Sequence, residues 1–156
     1  MPRPTLPPPP SRRRLRAAAM TLATAVAVLL LGGCTSSNQA KMVDLVNRSR
    51  SARHLAPVHA NDQAMRKAQA WAAHMARTGV VEHTGGGSRM DTSGLPRWCA
   101  VGENVGEATS IQHVHDLWMA SAPHQANILG RFDRIGTGVV RKGDQVFAIQ
   151  IFYRSC

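Results

Sequence analysis

Residues 118–129 run Trp118-Met119-Ala120-Ser121-Ala122-Pro123-His124-Gln125-Ala126-Asn127-Ile128-Leu129 and combine polar side chains with a helical apolar pattern. Pro123 suits the first turn of a short helix that ends near Leu129-Gly130, because that turn needs no intrahelical N–H donor. His124 and Asn127 are three residues apart and share a face of this helix, while Ile128 and Leu129 point inward. Taken alone, the stretch has an ordinary explanation, since a histidine at a helix start can simply satisfy nearby backbone groups.

Three more helices are predicted before this stretch. The first runs from Gln39 or Lys41 to about Arg53, and the second runs from a cap at Asn61 or Asp62 to residue 78, where Gly79 stops it. Ser110 can cap a third helix over residues 111–120. The second helix carries a wide apolar stripe rich in alanine, so we expect it to pack closely against a flat partner such as a sheet.

The strands are clearest near the C-terminus. Residues 135–141 and 146–153 are β-branched and aromatic runs, joined by Lys142-Gly143-Asp144 as a hairpin turn. Both runs are apolar on alternate positions and partly on the intervening ones, which is typical of a sheet covered on both faces. Residues 101–105 form a short connector or strand, and residues 80–100 form a long loop.

An export signal is predicted over residues 1–33. Four arginines between positions 12 and 16 precede an apolar run at 17–31, which is shorter than the ~20 residues that span a bilayer. Leu31-Gly32-Gly33 then leads to Cys34, and small residues before a cysteine are what a lipoprotein signal peptidase accepts. We therefore predict acylation of Cys34 and an exported protein, lipid-anchored on the outer face of a bacterial cell membrane. The alternative is a short membrane anchor with an incidental cysteine.

The remaining chain is predicted to be a polar tether, residues 34–40, followed by a single domain, residues 41–156. Five of the 19 Lys and Arg residues precede Cys34, whereas all nine acidic residues follow it, so the chain from Cys34 onward has a net charge of +5. These basic residues are scattered, with no Lys/Arg block and no interleaved aromatic residues. The charge suits an envelope protein and predicts no nucleic-acid binding.

Acylation of Cys34 would leave Cys99 and Cys156 as an even pair in an oxidising compartment. A disulfide between them would tie the C-terminus to the middle of the chain. The alternative is two separate buried thiols.

Three segments carry candidate chemistry: residues 82–84, residues 102–105 and the stretch at 118–129. Their order and spacing resemble the CAP superfamily, the cysteine-rich secretory, antigen-five and pathogenesis-related domains, in its short bacterial branch. The similarity covers nearly the whole mature chain. It is carried by Asn47 and Arg50 in the first helix, Leu55-Ala56-Pro57-Val58, Trp71-Ala72 with Met75-Ala76, Gly79 and His83, Gly102-Glu103-Asn104-Val105, residues 118–129, Ile135-Gly136 with Gly138-Val139, and Gln150 with Phe152.

The resemblance implies an α+β fold, an α-β-α sandwich with a small, mainly antiparallel central sheet. It also implies a cleft where His83, Glu103 and His124 converge. Family members with the full site use two histidines and two glutamates, and the histidines can hold a divalent cation, most readily zinc. The second glutamate is expected just after Trp118, where this chain has Ser121. Without the second carboxylate, His83 and His124 should bind a metal more weakly. One candidate general base is also missing.

Other polar residues near the cleft are assigned supporting roles. Asn104, Ser121 and Asn127 lie inside apolar segments, so we expect them to hold the loops around the cleft by hydrogen bonds. His115 can face the cleft edge, whereas His113 points elsewhere and is expected in solvent, because residues two apart on a helix do not share a face. The three remaining histidines have no partner signal and are expected at the surface: His54, His59 and His74.

Two main functions follow. The favoured one is a non-catalytic domain that binds a lipid, wall polymer or protein, because a glutamate is missing and the sequence shows no Ser or Cys nucleophile with a base beside it. The alternative is a metal-dependent hydrolase with His83, Glu103 and His124 as catalytic residues. A structural or defence-type domain without a ligand is the third interpretation.

Overall fold

The computed structural model of the chain describes Met1 and residues 36–156. The predicted export signal at 1–33 and the lipidation site at Cys34 lie outside the described residues and stay predictions. Among the helices that are described, none has the length and hydropathy needed to cross a bilayer.

Residues 36–156 form four helices and four strands. In order they are α1 (Ser37–Ser51), β1 (His59–Ala60), α2 (Asp62–Thr78), β2 (Trp98–Ala108), α3 (Ile111–Ala120), α4 (Ala122–Leu129), β3 (Arg134–Lys142) and β4 (Gln145–Ser155). The sheet has the order β1-β3-β4-β2. The pairs β3–β4 and β2–β4 are antiparallel, whereas β1 pairs with β3 in parallel. The α+β sandwich is thus confirmed, with a mixed sheet in which only the two-residue β1 runs parallel to its neighbour.

Helix α1 starts four residues before the predicted domain boundary at Lys41, because residues 36–39 form a capping box. The Gln39 backbone N–H donates to the Ser36 hydroxyl (3.3 Å), and the Ser36 N–H donates to the Gln39 side-chain oxygen (3.1 Å). The Gln39 side chain is buried, and its Nε2 donates to the Thr137 carbonyl on β3 over 2.6 Å. Residues 37–40, which the sequence assigned to the tether, therefore belong to the first turn of α1.

The side chains of β4 alternate between two cores. Phe147, Ile149 and Ile151 pack with the buried face of α2. Val146, Ala148 and Phe152 face the other way, into a core shared with α1, α3 and α4. The predicted covering of the sheet on both faces is confirmed, and it explains why the strand is apolar at nearly every position.

Helix α2 lies unusually close to β3. A Cβ placed on Gly136 would collide with the backbone of Ala64, and one placed on Gly138 would collide with the carbonyl of Ala68. The alanine stripe therefore meets a strand that has no side chain at those two positions. The expected close packing of α2 against a sheet is confirmed.

Asn47 and Arg50 fix α1 to two loops. Asn47 accepts from the Val58 N–H (2.9 Å) and donates to the Val58 carbonyl (3.0 Å), which holds the connector before β1. The guanidinium of Arg50 is buried and donates to four carbonyls, those of Ala56, Ile128, Gly130 and Phe132. Burial lowers the pKa of Arg50 below its ordinary value. These residues stabilise the fold on which the site is built.

Cys99 and Cys156 form a disulfide, with Cα atoms 5.0 Å apart. It links the start of β2 to the C-terminus just beyond β4, where the two strands already pair in antiparallel register. The predicted pairing is confirmed, and the alternative of two separate buried thiols is wrong because both residues are exposed and bonded to each other.

Candidate functional site

Two distant segments meet at His83 and Glu103. His83 lies in the loop after α2, and Glu103 lies in the middle of β2. The His83 Nδ1 is 2.8 Å from the Glu103 Oε1, and the side chains are 27% and 1% exposed, respectively. The structure thus brings two of the three predicted site residues into direct contact, with the histidine toward solvent and the carboxylate buried behind it.

The buried Glu103 carboxylate accepts hydrogen bonds on both of its oxygens. Its Oε1 also accepts from the Thr84 N–H (3.0 Å), and its Oε2 accepts from the Thr84 hydroxyl (2.7 Å). An ionised carboxylate only accepts hydrogen bonds, so the Nδ1 of His83 carries the proton that this contact needs. The other ring nitrogen, Nε2, is then left with its lone pair. Glu103 therefore orients His83 instead of presenting a free base to a substrate.

His124 sits in the first turn of α4, beside the ring of Trp118 at a centroid distance of 6.5 Å. Its pKa is lowered from the usual 6.5, first because burial penalises the charged ring and second because His83 is near enough to repel the added charge. His83 therefore lies near His124, and His124 stays neutral at neutral pH. A neutral ring keeps one nitrogen lone pair for a ligand.

A network of side-chain amides holds α4 against the sheet. Asn104 donates to the carbonyl of His124 (3.1 Å) and to the side-chain oxygen of Gln150 (3.0 Å). Asn127 donates to the Glu103 carbonyl (3.1 Å) and to the Asn104 side-chain oxygen (2.8 Å). Both predicted asparagines therefore make the hydrogen bonds that a supporting role requires, and both act on residues that carry the site.

Ser121 makes a different contribution. It closes α3 and begins α4, with its backbone N–H bonded to the Trp118 carbonyl, and its hydroxyl makes no capping hydrogen bond. Its side chain is thus not a hydrogen-bonding support of the kind the sequence suggested. It acts through its backbone, which turns the chain from α3 into α4.

Sequence reasoning gave no role to Thr84 or to the side chain of Gln150. Thr84 donates twice to Glu103, and Gln150 is wholly buried on β4 as the partner of Asn104. A single amide within the apolar run 146–153 was the available signal for Gln150, because a buried polar group in a strand needs a partner. No comparable sequence pattern pointed to Thr84.

The site supplies few metal ligands. Within residues 36–156, no group of three or more His, Cys, Asp and Glu side chains is arranged to hold a metal ion. Glu103 is buried and both of its oxygens accept hydrogen bonds, which leaves the ring nitrogens of His83 and His124 as the candidate ligands at this site. Catalytic zinc sites use three protein ligands, so this pair falls one ligand short, and no catalytic step through a metal follows from it.

The other histidines differ in how deeply they are buried. His115 is 3% exposed and faces α1, where its Nε2 lies 2.8 Å from the Ser49 hydroxyl; it does not reach the cleft edge. His74 is partly buried, stacked on Trp71 at 4.5 Å. His54, His59 and His113 are exposed, as expected.

The sandwich and the contact between His83 and Glu103 place the chain in the class of CAP-type domains. The model of the cysteine-rich secretory protein family (CAP) matches residues 43–155. The chain belongs to this family. A search of curated proteins found no match.

Solved structures share the fold. An outer surface protein from Borrelia burgdorferi is 14% identical, with a TM-score of 0.64 over 78% of this chain and 96% of that one. Venom allergen-like protein 4 from Schistosoma mansoni is 11% identical, with a TM-score of 0.62 over 78% and 90%. An extracellular SCP-domain protein from Bacillus anthracis is 27% identical, with a TM-score of 0.61 over 76% of this chain but only 40% of that one. This chain thus corresponds to less than half of the Bacillus protein.

Proposed function

We propose that the protein is an exported CAP domain that binds a ligand at the His83–His124 site and does not catalyse a reaction there. The observation that carries this proposal is the state of Glu103, whose two oxygens accept three hydrogen bonds from His83 and Thr84. A general base must reach the proton that it removes. Glu103 instead fixes the ring of His83, which suits recognition.

A divalent cation, zinc foremost, is proposed to bind weakly between His83 and His124. Two imidazoles provide two ligands, and water or an oxygen of the bound ligand would complete the shell. The Glu103–His83 hydrogen bond supports this arrangement, because a carboxylate behind a ligating histidine fixes the ring and raises its basicity.

Zinc titration of the purified domain tests the site. We expect His83→Ala and His124→Ala each to weaken zinc binding at least about tenfold, whereas His113→Ala, an exposed histidine on α3, should bind zinc as the wild type does. Equal binding by wild type and both site variants would refute the metal site. Zinc-dependent turnover of a lipid or peptide substrate that disappears in both variants would favour the hydrolase and overturn the binding proposal.

The proposed ligand is a lipid, a wall polymer or a protein partner at the cell envelope. The named relatives include an outer surface protein and an extracellular protein, which is consistent with export of this chain. We further propose that a lipid on Cys34 retains the domain on the outer face of the membrane. Cys34→Ala should release the protein from the membrane fraction into the medium, and unchanged membrane retention would refute the anchor.

A further inference from the structure

Helix α1 begins almost immediately after the predicted lipidation site. In the sequence, only Thr35 lies between Cys34 and Ser36, the residue that caps α1. Because consecutive Cα atoms are 3.8 Å apart, the Cα atoms of Cys34 and Ser36 are separated by at most about 8 Å. A lipid on Cys34 would therefore hold the first turn of α1 next to the lipid headgroups.

Hydrogen bonds keep the first turn of α1 from unwinding to lengthen this connection. Ser36 and Gln39 form the capping box, and Gln39 is buried. Its Nε2 donates to the carbonyls of Thr137 (2.6 Å) and Met65 (3.3 Å), and its own carbonyl accepts from the Thr137 hydroxyl (3.1 Å). Unwinding would leave these buried polar groups unpaired, which is costly. The start of α1 is thus a fixed point of the domain.

The same contacts place the start of α1 at the outer edge of β3. Strand β1 pairs only with residues 134–135, so beyond them a different partner must cover this edge of β3. There the Thr137 carbonyl accepts from Gln39, while the Val139 N–H (3.0 Å) and carbonyl (3.2 Å) both bond to the side chain of Gln69. Side chains of α1 and α2 thus take the place of a neighbouring strand.

The candidate site lies toward the opposite edge of the sheet. Thr137 on β3, Gln150 on β4 and Asn104 on β2 are cross-strand partners in one row. Gln39 bonds to Thr137 at one end of the row, and Asn104 donates to the carbonyl of His124 at the other. The two strand spacings between Thr137 and Asn104 amount to about 10 Å. The whole width of the three main strands therefore separates the start of α1 from the site.

The site reaches around β2 from both faces of the sheet. Glu103 is the cross-strand partner of Ile151, which packs in the core under α2, so the Glu103 side chain and its partner His83 lie on the α2 face. Asn104 is the next residue of the strand and points to the other face, where it bonds to the carbonyl of His124 on α4. Since β4 occupies the inner side of β2, the site lies at the outer edge of β2.

The charges at the start of α1 permit contact with a lipid surface. The exposed Lys41 is followed one turn later by the exposed Asp44, and on the adjoining α2 the exposed Asp62 and Arg66 also have opposite charges. This part of the surface therefore has no excess negative charge that anionic headgroups would repel.

We propose that the anchored domain stands with the outer edge of β3 and the first turn of α1 against the anchoring bilayer, and with the His83–His124 site facing away from it. The inference rests on the lipid anchor proposed above. The short connection supplies the orientation, because the first turn of α1 cannot move away from the headgroups. A lipid that remains in the anchoring bilayer does not reach the site, so the ligand approaches from outside that membrane.

Two single thiols on the anchored full chain test the placement. Asn38→Cys marks the first turn of α1, and Ala126→Cys marks α4 two residues from His124; both positions are exposed. The chain's own cysteines do not compete, because one carries the lipid and the other two form the Cys99–Cys156 disulfide. The lipidated variants are inserted into preformed phosphatidylglycerol vesicles and treated with a bulky polyethylene-glycol maleimide.

Each modification rate is divided by the rate for the same thiol in the unanchored Cys34→Ala chain, which cancels differences in intrinsic reactivity. We expect anchoring to slow Asn38→Cys about tenfold, because the headgroups block most directions of approach. Ala126→Cys should react at the same rate in the anchored and unanchored chains.

A longer connection provides the control. Twelve Gly and Ser residues inserted between Thr35 and Ser36 add roughly 20 Å of flexible chain, and they should bring Asn38→Cys back toward its unanchored rate. Equal rates for anchored and unanchored Asn38→Cys, or slowing of Ala126→Cys as strong as that of Asn38→Cys, would overturn the placement and leave the lipid anchor intact. A wild-type chain that is not retained by membranes would refute the anchor itself, and the placement with it.

Discussion

Asn127 donates from Nδ2 to the side-chain oxygen of Asn104 over 2.8 Å, and Asn104 in turn donates to the main-chain carbonyl of His124 over 3.1 Å. The two amides thus connect the middle of α4 to strand β2 and back to the first turn of α4. Asn127 also donates to the carbonyl of Glu103. This one asparagine is therefore linked directly to Glu103 and, through Asn104, to His124. The placement of His124 relative to Glu103 depends on this arrangement.

Replacing Asn127 with leucine should therefore destabilise the protein. The change removes the donor to two acceptors, on Glu103 and Asn104, and a buried group left unpaired costs about 1–3 kcal/mol. Thermal or urea denaturation measures the loss. Ala126→Leu places the same side chain at an exposed position of α4 and should have little effect. An unchanged melting temperature in Asn127→Leu would contradict the network.

Glu103→Ala tests how His83 is oriented. The change removes the acceptor of all three hydrogen bonds from His83 and Thr84. We expect the fixed Nδ1–H tautomer of His83 to give way to a mixture, visible in the ring nitrogen chemical shifts, and zinc affinity to fall by about 10–100-fold. Glu107→Ala removes an exposed carboxylate of the same strand and should alter neither. A retained tautomer in Glu103→Ala would show that Glu103 does not hold the ring.

Local sequence signals predicted most of the elements. Asn61 caps α2 and Gly79 ends it with a φ of 75°, as their residue types indicated, and Ser110 caps α3. The hairpin turn is one residue shorter than expected, because Lys142 pairs with Gln145 and only Gly143 and Asp144 remain in the turn. These features depend on neighbours in sequence, which is why residue types suffice to predict them.

Structural features that depend on residues far apart in sequence were harder to predict. Strand β1 has two residues and exists because it pairs with β3, so no periodicity could reveal it. The sequence allowed His115 to face the cleft edge, but its side chain contacts Ser49, 66 residues earlier in the chain. The site itself was predicted from the resemblance, and Thr84 was missed because its hydrogen bonds to Glu103 depend on the path of a loop.

Gly138→Ala should separate α2 from β3. A Cβ at this position would clash with the carbonyl of Ala68. That carbonyl is part of the backbone of α2, so it cannot rotate away as a side chain could. Overpacking of this kind costs about 1–3 kcal/mol. Chemical denaturation should show the loss, while Lys142→Ala at the exposed end of β3 should be nearly neutral. Equal stability of Gly138→Ala and wild type would contradict the close approach.

Stability should decline as the pH falls below about 6.5. Burial lowers the pKa values of His115 and His124 in the folded protein, whereas both rings titrate near 6.5 in the unfolded chain. The unfolded state therefore takes up protons first, and folding free energy is lost as pH decreases through 6.5 toward the folded values.

Urea midpoints between pH 8 and pH 5 measure this effect. His115→Gln should flatten the profile in that range, and His113→Gln, at an exposed position of the same helix, should not. Asp91 is partly exposed, and its pKa is lowered mainly by its hydrogen bond to Lys67. Its contribution to stability is lost only below about pH 4 and does not interfere. A midpoint that rises with acidification would contradict the burial of neutral histidines.

Reduction of the disulfide should destabilise the protein by up to about 4 kcal/mol, because Cys99 and Cys156, 57 positions apart, close a long loop in the unfolded chain. Both cysteines are exposed, so a reductant can reach them. Since β2 and β4 pair continuously from Ala100 to Ala108, beyond the irregularity at Cys99, the reduced protein should keep its fold and unfold at lower urea concentration. Cys99→Ala/Cys156→Ala should match the reduced wild type and be insensitive to the reductant. A double variant as stable as the oxidised wild type would show that strand pairing alone fixes the C-terminus.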